Sequence, residues 1–290
     1  MDGSPENVPA QVVSFGAERR RSPRPPPADR LAPPDAQAVY RRVMEVLRAG
    51  GVEFLVGGAY AFTRYTGIER STKDFDVFVR YEDRHRALDV LFGAGFVTEL
   101  TFPHWLGKAF LGEDFCDVIF SSGNGVAPVD DVWFDHAPSA EVLGLPVRIC
   151  PAEEMLWSKS FVMERERYDG ADVVHLIRSG AATLDWDRVM ARFGDRWRVL
   201  LFNLVLFGFV YPGERTRVPR RVMDELLARL AADLETDDPR GKVCQGTLVS
   251  RQQYLVDIAD WGYADGRLPP LGTMTEREIA DWTAAIGMIK

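Results

Sequence analysis

Residues 56–80 read VGGAYAFTRYTGIERSTKDFDVFVR, and this stretch decides the expected fold of the chain. Gly57 and Gly58 close an apolar strand, a short helical segment follows, and a second strand carries Asp74 and Asp76. Side chains two residues apart on a strand point to the same face, so the two carboxylates can hold one metal site together. The glycine pair lets backbone N–H groups approach a phosphate at a helix N-terminus. Together these features indicate chemistry on a nucleotide phosphate.

The segments around this stretch predict a small mixed sheet. Apolar runs predict strands at residues 52–56, 74–79, 108–111, 115–120 and 147–150, with helices at 35–49, 59–65 and 82–92. Beyond Pro151 the pattern predicts helices alone, at residues 152–167, 171–177, 186–193, 196–210, 220–234 and 248–261. The expected class is therefore α+β, with a small mixed sheet and flanking helices followed by an α-helical domain.

Composition divides the chain into three parts. Residues 1–34 hold eight of the 18 prolines and a cluster of arginines, which predicts a disordered tail without function. Order is expected from Asp35, as a helix N-cap. The predicted domains are residues 35–150, which carry the sheet, and residues 151–290, which form a helical domain that completes a cleft.

Bulk properties favour a protein of the cytoplasm and disfavour two classes of partner. The net charge of −8 gives no overall attraction to nucleic acid. The three cysteines have no metal-binding spacing and suit a reducing compartment, and residues 1–34 have no apolar segment typical of a signal peptide. The longest apolar run, Val199–Tyr211, is shorter than the roughly 20 residues that span a bilayer, so it predicts a fully buried helix and no membrane partner.

A third acid, Asp117, is placed inside the predicted strand at residues 115–120. An unpaired charge there would be costly, so the residue either faces solvent at a strand edge or meets a cation in a cleft. Beside the strand of Asp74 and Asp76, the cation is favoured. Nucleotidyl transfer requires Mg²⁺ held by carboxylates and positive groups on the phosphates, which this set of acids can serve.

These residues resemble the nucleotidyltransferase superfamily that shares the DNA polymerase β palm. Gly57-Gly58, Asp74-Phe75-Asp76 and Asp117 match its pattern in order and type, and the segment from Arg70 to Asp74 looks like the Arg-x-Thr-x-Asp lead-in of small bacterial members. The run Pro151-Ala152-Glu153-Glu154, then Lys159, residues 165–169 and Asp172, looks like the helix pair of lincosamide-type and abortive-infection-type nucleotidyltransferases.

The resemblance implies an enzyme that transfers NMP from an NTP to a hydroxyl of an unidentified acceptor and releases pyrophosphate. It implies that Asp74, Asp76 and Asp117 are catalytic and hold two Mg²⁺ ions. It also implies that Gly57, Gly58, Arg70, Thr72 and Lys159 bind the nucleotide.

Several alternatives stay open at this stage. Lys159 either extends its ammonium to solvent or meets an anion. Asp172 is either a first-turn acid on a helix dipole or a cleft residue, and either Asp169 or Asp172 is the acid that joins the cleft. The acceptor is a small molecule or unknown, with RNA less favoured because phosphate contacts require clustered cations. A toxin-type enzyme that modifies tRNA or protein, and a catalytically silent nucleotide-binding module, are the alternative functions.

Overall fold

A five-stranded mixed sheet is the centre of the first half of the computed structural model, which describes residues 31–235 and 241–286. The strand order is β1-β2-β5-β4-β3, in which β2 and β5 run parallel and the other neighbours antiparallel. The strands are β1 Leu55–Val56, β2 Phe75–Phe78, β3 Val97–Phe102, β4 Leu106–Leu111 and β5 Asp114–Ile119. The predicted α+β class with a small mixed sheet is therefore confirmed.

Two helices, α1 Pro34–Ala49 and α3 Arg84–Gly93, cover one face of this sheet. Tyr40 of α1 stacks its ring on Phe75 of β2 at a centroid distance of 4.9 Å. Phe75 and Val77 are both fully buried. Because strand side chains alternate, Asp76 points to the opposite face, as the sequence predicts. Helix α2, Gly58–Thr66, follows β1 and ends at Gly67, whose φ of +72° suits glycine.

Ordered structure begins earlier than the predicted Asp35. Leu31 is 1% exposed, and its carbonyl accepts a hydrogen bond from the Thr72 N–H at 2.9 Å. Helix α1 begins at Pro34, a residue well suited to a first helical position, and Asp35 lies in its first turn rather than at the N-cap. The predicted disordered tail is wrong for residues 31–34, and its remainder, residues 1–30, lies outside the described residues.

Several elements of the first half differ from prediction. Strand β1 has two residues instead of five, and β3 was not predicted because its apolar and polar residues do not alternate cleanly. The predicted strand at residues 147–150 is β7, Leu145–Arg148, which pairs with β6, Ser139–Val142, across a turn where Gly144 has φ +73°. A short helix, α4 Asp131–Asp135, precedes this hairpin.

Helices make up most of the second half. They are α5 Ala152–Lys159, α6 Gly170–Gly180, α7 Trp186–Phe193, α8 Trp197–Val210, α9 Arg220–Asp233, α10 Leu255–Ala259 and α11 Glu276–Ala284. The expectation of no further strand is wrong, because β8 Val243–Cys244 pairs in parallel with β9 Ala264–Asp265. The predicted helix at residues 248–261 is reduced to α10, and α11 was not predicted. Helix α2 of the first half packs on α6 of the second. The domain boundary at residue 150 stays a prediction.

Helix α5 ends at Lys159, eight residues before the predicted end. The following segment, residues 160–169, forms tertiary contacts in place of helical hydrogen bonds. The Met163 N–H donates to the Val249 carbonyl at 2.9 Å, and the Glu164 carboxylate accepts from the Ser250 hydroxyl at 2.6 Å. These partners are distant in sequence, so helical periodicity gives no sign of them.

Helix α8 is only partly buried, although its sequence predicts a fully buried helix. Phe207 is fully buried, whereas Phe209 is 81% exposed and Val205 is 57% exposed. Its length stays below that of a bilayer-spanning helix, and in residues 31–235 and 241–286 no helix is long and apolar enough to cross a membrane.

A buried ion network joins α5 to α7 and to the first half. Glu154 is fully buried, and its carboxylate accepts a hydrogen bond from Arg192 Nε at 3.1 Å. The other nitrogens of Arg192 donate to Asp130, both at 2.7 Å, and Asp130 also caps α4. The two glutamates that follow Pro151 therefore have structural partners, since Glu153 pairs with Arg188.

We expect Glu154→Ala to lower the free energy of unfolding by about 1–3 kcal/mol, because Arg192 and Arg188 each lose one carboxylate partner while they keep Asp130 and Glu153. The matched control is Glu225→Ala, which removes an exposed pair with Arg229 on α9 and should cost less than about 0.5 kcal/mol. Urea unfolding followed by circular dichroism measures both. Equal, small effects would show that the buried network does not stabilise the fold.

Candidate active site

The structure brings the three predicted acids together. Asp76 on β2 and Asp117 on β5 are directly paired in the parallel register, and Asp74 lies one residue before β2. Each offers a carboxylate oxygen within 4.8 Å of the other two, and all three side chains are half-buried. The register between β2 and β5 thus creates a cluster of hard oxygen donors, which is the donor type that Mg²⁺ prefers.

The glycine pair packs directly against this cluster. The Gly57 N–H donates to the Asp76 carbonyl at 2.9 Å, and α2 begins at Gly58. Gly58 has φ +52°, and a Cβ added there would lie 1.7 Å from Asp76 Oδ2. A side chain at position 58 would therefore displace the carboxylate. The helix N-terminus stands beside the acids, as the sequence predicts, and phosphate binding there stays a prediction.

The residues before the Asp-x-Asp segment hold Asp74 in place. The Thr72 hydroxyl donates to Asp74 Oδ1 at 2.5 Å, and the Thr72 N–H is fixed by its hydrogen bond to the Leu31 carbonyl. Arg70 contacts Asp172 at 2.5 Å and lies over the Phe62 ring at 4.6 Å. Thr72 and Arg70 thus contact protein groups near the acids, while their predicted nucleotide contacts stay untested.

Lys159 lies between two buried acids of the second half. Its ammonium donates to Asp169 at 2.8 Å and to Asp172 at 2.9 Å. The structure supports the second of the two alternatives for Lys159, in which the ammonium meets an anion. The anions are carboxylates of the protein itself. Asp169 and Asp172 both belong to this network, and Asp172 also lies in the first turn of α6.

Arg167 is a candidate residue to which the sequence analysis gave no role. Its Nε and Nη2 both donate to Asp169 at 3.1 Å. Burial lowers the pKa of Arg167, but its hydrogen bonds to Asp169 and the charges of Asp169, Asp76 and Asp74 raise it overall. Its charge therefore reaches the acid cluster, and the charged run at residues 164–167 is the only sequence signal for it.

Lys108 is a second residue that the sequence analysis did not select. It stands opposite Asp117 in the β4–β5 register, and its ammonium donates to Asp117 Oδ1 at 2.6 Å. The ammonium also lies over the Phe115 ring at 4.4 Å. Gly112 and Glu113 form a two-residue connection between β4 and β5, which fixes this pairing. The register of such a tight hairpin could have identified Lys108.

The cations near the three acids do not fully compensate the negative charge of the cluster. Burial, together with the charges of Asp74 and Asp117, raises the pKa of Asp76 to about 7, and Lys159 and Arg167 oppose this only in part. Burial also raises the pKa of Asp117, against the hydrogen bond and charge of Lys108. Three oxygen donors that repel one another fit a divalent cation, which would favour their ionised forms.

No family model matches the chain, and no curated protein matches it. Solved structures do match in part. The antibiotic-resistance factor ANT(2'')-Ia shares 16% identity, with 57% of this chain and 95% of that chain covered and a TM-score of 0.41. The lincomycin-bound lincosamide antibiotic adenylyltransferase LnuA shares 12% identity, with 48% of this chain and 94% of that chain covered and a TM-score of 0.35.

A nucleotidyltransferase-like protein from Paracoccidioides brasiliensis also matches, at 13% identity over 58% of this chain and 91% of that chain, with a TM-score of 0.34. At such identities and TM-scores these likenesses carry no functional assignment by themselves.

We expect Asp76→Asn to stabilise the metal-free protein at pH 8. Asp76 has a folded-state pKa of about 7, above its ordinary value of 3.8, so its contribution to stability is lost as pH rises through that window. At roughly 1.4 kcal/mol per pKa unit, the variant should gain about 1–4 kcal/mol at pH 8 and little near pH 4. Thermal unfolding in EDTA at both pH values measures this gain.

The control for this experiment is Asp89→Asn, which changes an exposed acid on α3 and should leave the unfolding temperature unchanged. Added Mg²⁺ should raise the unfolding temperature of the wild type and of Asp89→Asn, and not that of Asp76→Asn. A wild type more stable than Asp76→Asn in EDTA at pH 8 would contradict the expected repulsion in the cluster.

Proposed function

We propose that the protein is a Mg²⁺-dependent nucleotidyltransferase that transfers NMP from an NTP to an acceptor hydroxyl. The observation that carries this proposal is the cluster of Asp74, Asp76 and Asp117, whose carboxylate oxygens lie within 4.8 Å of one another. It lies beside the N-terminus of α2 and faces the cations Lys159 and Arg167. Carboxylates for metal ions together with donors for phosphate are the parts that this reaction requires.

Each of the first-half residues has a proposed role. Asp74 and Asp76 would hold the metal ions, with Asp117 completing the set of donors, and the proposal includes two ions. Thr72 orients Asp74 through its hydroxyl. The N–H groups at the N-terminus of α2, which begins at Gly58, bind phosphate oxygens, and the position of this helix end beside the acids supports that role.

The cations of the second half complete the phosphate site in this proposal. Lys159 and Arg167 oppose the charge of Asp76, so their positive charges act on the volume next to the acids. Arg70 has 44% of its side chain exposed and can turn from Asp172 toward a nucleotide at the mouth of the site. Lys159 is held by Asp169 and Asp172, which fix its position before substrate arrives.

Asp117 is proposed to accept the proton of the acceptor hydroxyl. The hydroxyl oxygen then forms a bond to the α-phosphorus, the bond from that phosphorus to the β-phosphate oxygen breaks, and pyrophosphate leaves. Mg²⁺, when bound, supplies charge neutralisation on the phosphates. Lys108 orients Asp117 through its hydrogen bond and favours the ionised carboxylate that can take the proton.

A small molecule is the favoured acceptor. Three of the four arginines clustered at residues 215–221 that could contact RNA are paired with acids of the protein, Arg217 with Glu214, Arg220 with Asp224 and Arg221 with Asp187. The fourth, Arg215, donates to the Pro212 carbonyl. These pairs reduce the positive field that a phosphate backbone requires. The overall charge of −8 acts in the same direction.

The test uses each of the four labelled NTPs with Mg²⁺ and a panel of hydroxyl-bearing acceptors that includes tRNA. The wild type should release pyrophosphate with one acceptor class, and Asp74→Asn or Asp76→Asn should lower the rate by about 10³-fold or more while leaving the fold intact. Asp89→Asn is the matched control and should keep full activity. Tight NTP binding without pyrophosphate for any acceptor would favour a silent nucleotide-binding module instead.

A second prediction concerns Lys108. Loss of its charge in Lys108→Met leaves burial and Asp74 to raise the pKa of Asp117 further, so the acidic limb of the pH profile of kcat/KM should move to higher pH. Lys242→Met, which removes a lysine near Tyr263 in the second half, is the control and should leave the profile unchanged. An unshifted acidic limb in Lys108→Met would rule out the proposed role of Asp117 as the proton acceptor.

A further inference from the structure

A cavity of about 330 Å³ lies in the second half of the chain, apart from the three acids. Its apolar wall is formed by Phe161, Val199, Leu248 and Val249, and its polar lining residues are Asp195, Arg196, Arg198 and Gln245. No lining residue has a role in the proposed active site. The volume falls within the range of pockets that hold small molecules.

Arg196 and Arg198 form the cationic side of this cavity, and the exposed Asp195, the chain neighbour of Arg196, also lines it. Arg196 is half-buried, and its Nη2 donates to the Leu271 carbonyl at 2.9 Å. Among the residues that the structure describes, Arg196 forms no ion pair, and burial lowers its pKa against the charge of the neighbouring Asp195. Arg198, which also lines the cavity, is by contrast paired with Asp233. A guanidinium beside an apolar wall is costly unless an anion meets it.

The apolar wall is held open by contacts outside the cavity. Phe161 stacks on Phe193 at a centroid distance of 5.8 Å. The Leu248 carbonyl accepts a hydrogen bond from Asn124 Nδ2 at 2.5 Å, and the Val249 carbonyl accepts from the Met163 N–H at 2.9 Å. These anchors come from both halves of the chain. The wall therefore keeps its shape without a ligand, which lowers the ordering cost of binding.

We propose that this cavity is a binding site for a small anion with an apolar body, either a carboxylate or a phosphate monoester. The anionic group pairs with Arg196, and the apolar body packs on Phe161, Leu248 and Val249. The cavity has no lining residue in common with the proposed nucleotide cleft, and its existence does not depend on the proposed transfer reaction.

The first experiment compares three probes of the same apolar body by isothermal titration calorimetry: 2-naphthoate, 2-naphthyl phosphate and the neutral 2-naphthamide. At least one anion should bind ten times or more tighter than the amide, and the tighter of the two identifies the preferred anionic group. Equal binding of all three, or binding of none, would overturn the proposal.

The second experiment places the anion in the cavity. Arg196→Gln should remove the preference for the anion over 2-naphthamide, whereas Arg220→Gln, an exposed arginine of α9, should retain it. Val199→Trp should weaken all three probes by filling the cavity. Circular dichroism and the unfolding temperature confirm that each variant is folded, and a variant that fails to fold is replaced by Arg196→Met or Val199→Phe.

The same titration in Asp76→Asn separates this site from the nucleotide cleft. Naphthoate binding should be unchanged in that variant, and saturating NTP with Mg²⁺ should not displace the probe from the wild type. Binding that is kept in Arg196→Gln and is displaced by NTP would place the anion at the cations of the cleft and overturn the proposal. The outcome is independent of whether pyrophosphate release is observed.

Discussion

Repulsion among three carboxylates is the constraint on which the rest of the site depends. Asp74, Asp76 and Asp117 come within 4.8 Å of one another because β2 and β5 pair in parallel and in register. Such a cluster is costly in a folded protein unless cations surround it. The cations come from separate parts of the chain, since Lys108 lies on β4 and Lys159 ends α5. The second half of the protein thus supplies part of the positive charge that acts on the acids of the first.

The cations are themselves held by a second layer of acids. Asp169 binds Lys159 and Arg167, and Asp172 binds Lys159 and Arg70. Because their hydrogen bonds are directed to this second layer, Lys159 and Arg167 act on Asp76 through their charge at a distance. Burial and the charges of Asp74 and Asp117 outweigh these two cations, so the pKa of Asp76 stays raised, at about 7. A site kept short of positive charge in this way is suited to a metal ion that arrives with its substrate.

Local sequence patterns predicted which acids come together, but they could not predict contacts between residues distant in sequence. The alternation of Phe75 and Val77 with Asp76 correctly gave the inward and outward faces of β2, since both apolar residues are fully buried. The end of α5 at Lys159 was missed because Glu164 finds its partners, Ser250 and the Arg251 N–H, more than 80 residues away. The helical periodicity of a sequence does not record such contacts. The position of Arg167 near the acids therefore could not be predicted from the sequence. The proposed roles of all these residues await measurement.

The close contact between Gly58 and Asp76 links the two parts of the motif physically. A phosphate cradle alone would require glycine for the approach of a ligand to the backbone. Here a Cβ at position 58 would already lie 1.7 Å from Asp76 Oδ2, and φ there is +52°, so glycine is required by the acid cluster itself. Gly57 is constrained in a similar way, because its Cβ would lie 2.2 Å from the Phe78 ring. The glycines and the acids therefore form one packed unit, in which the helix N-terminus and the carboxylates are positioned by the same contact.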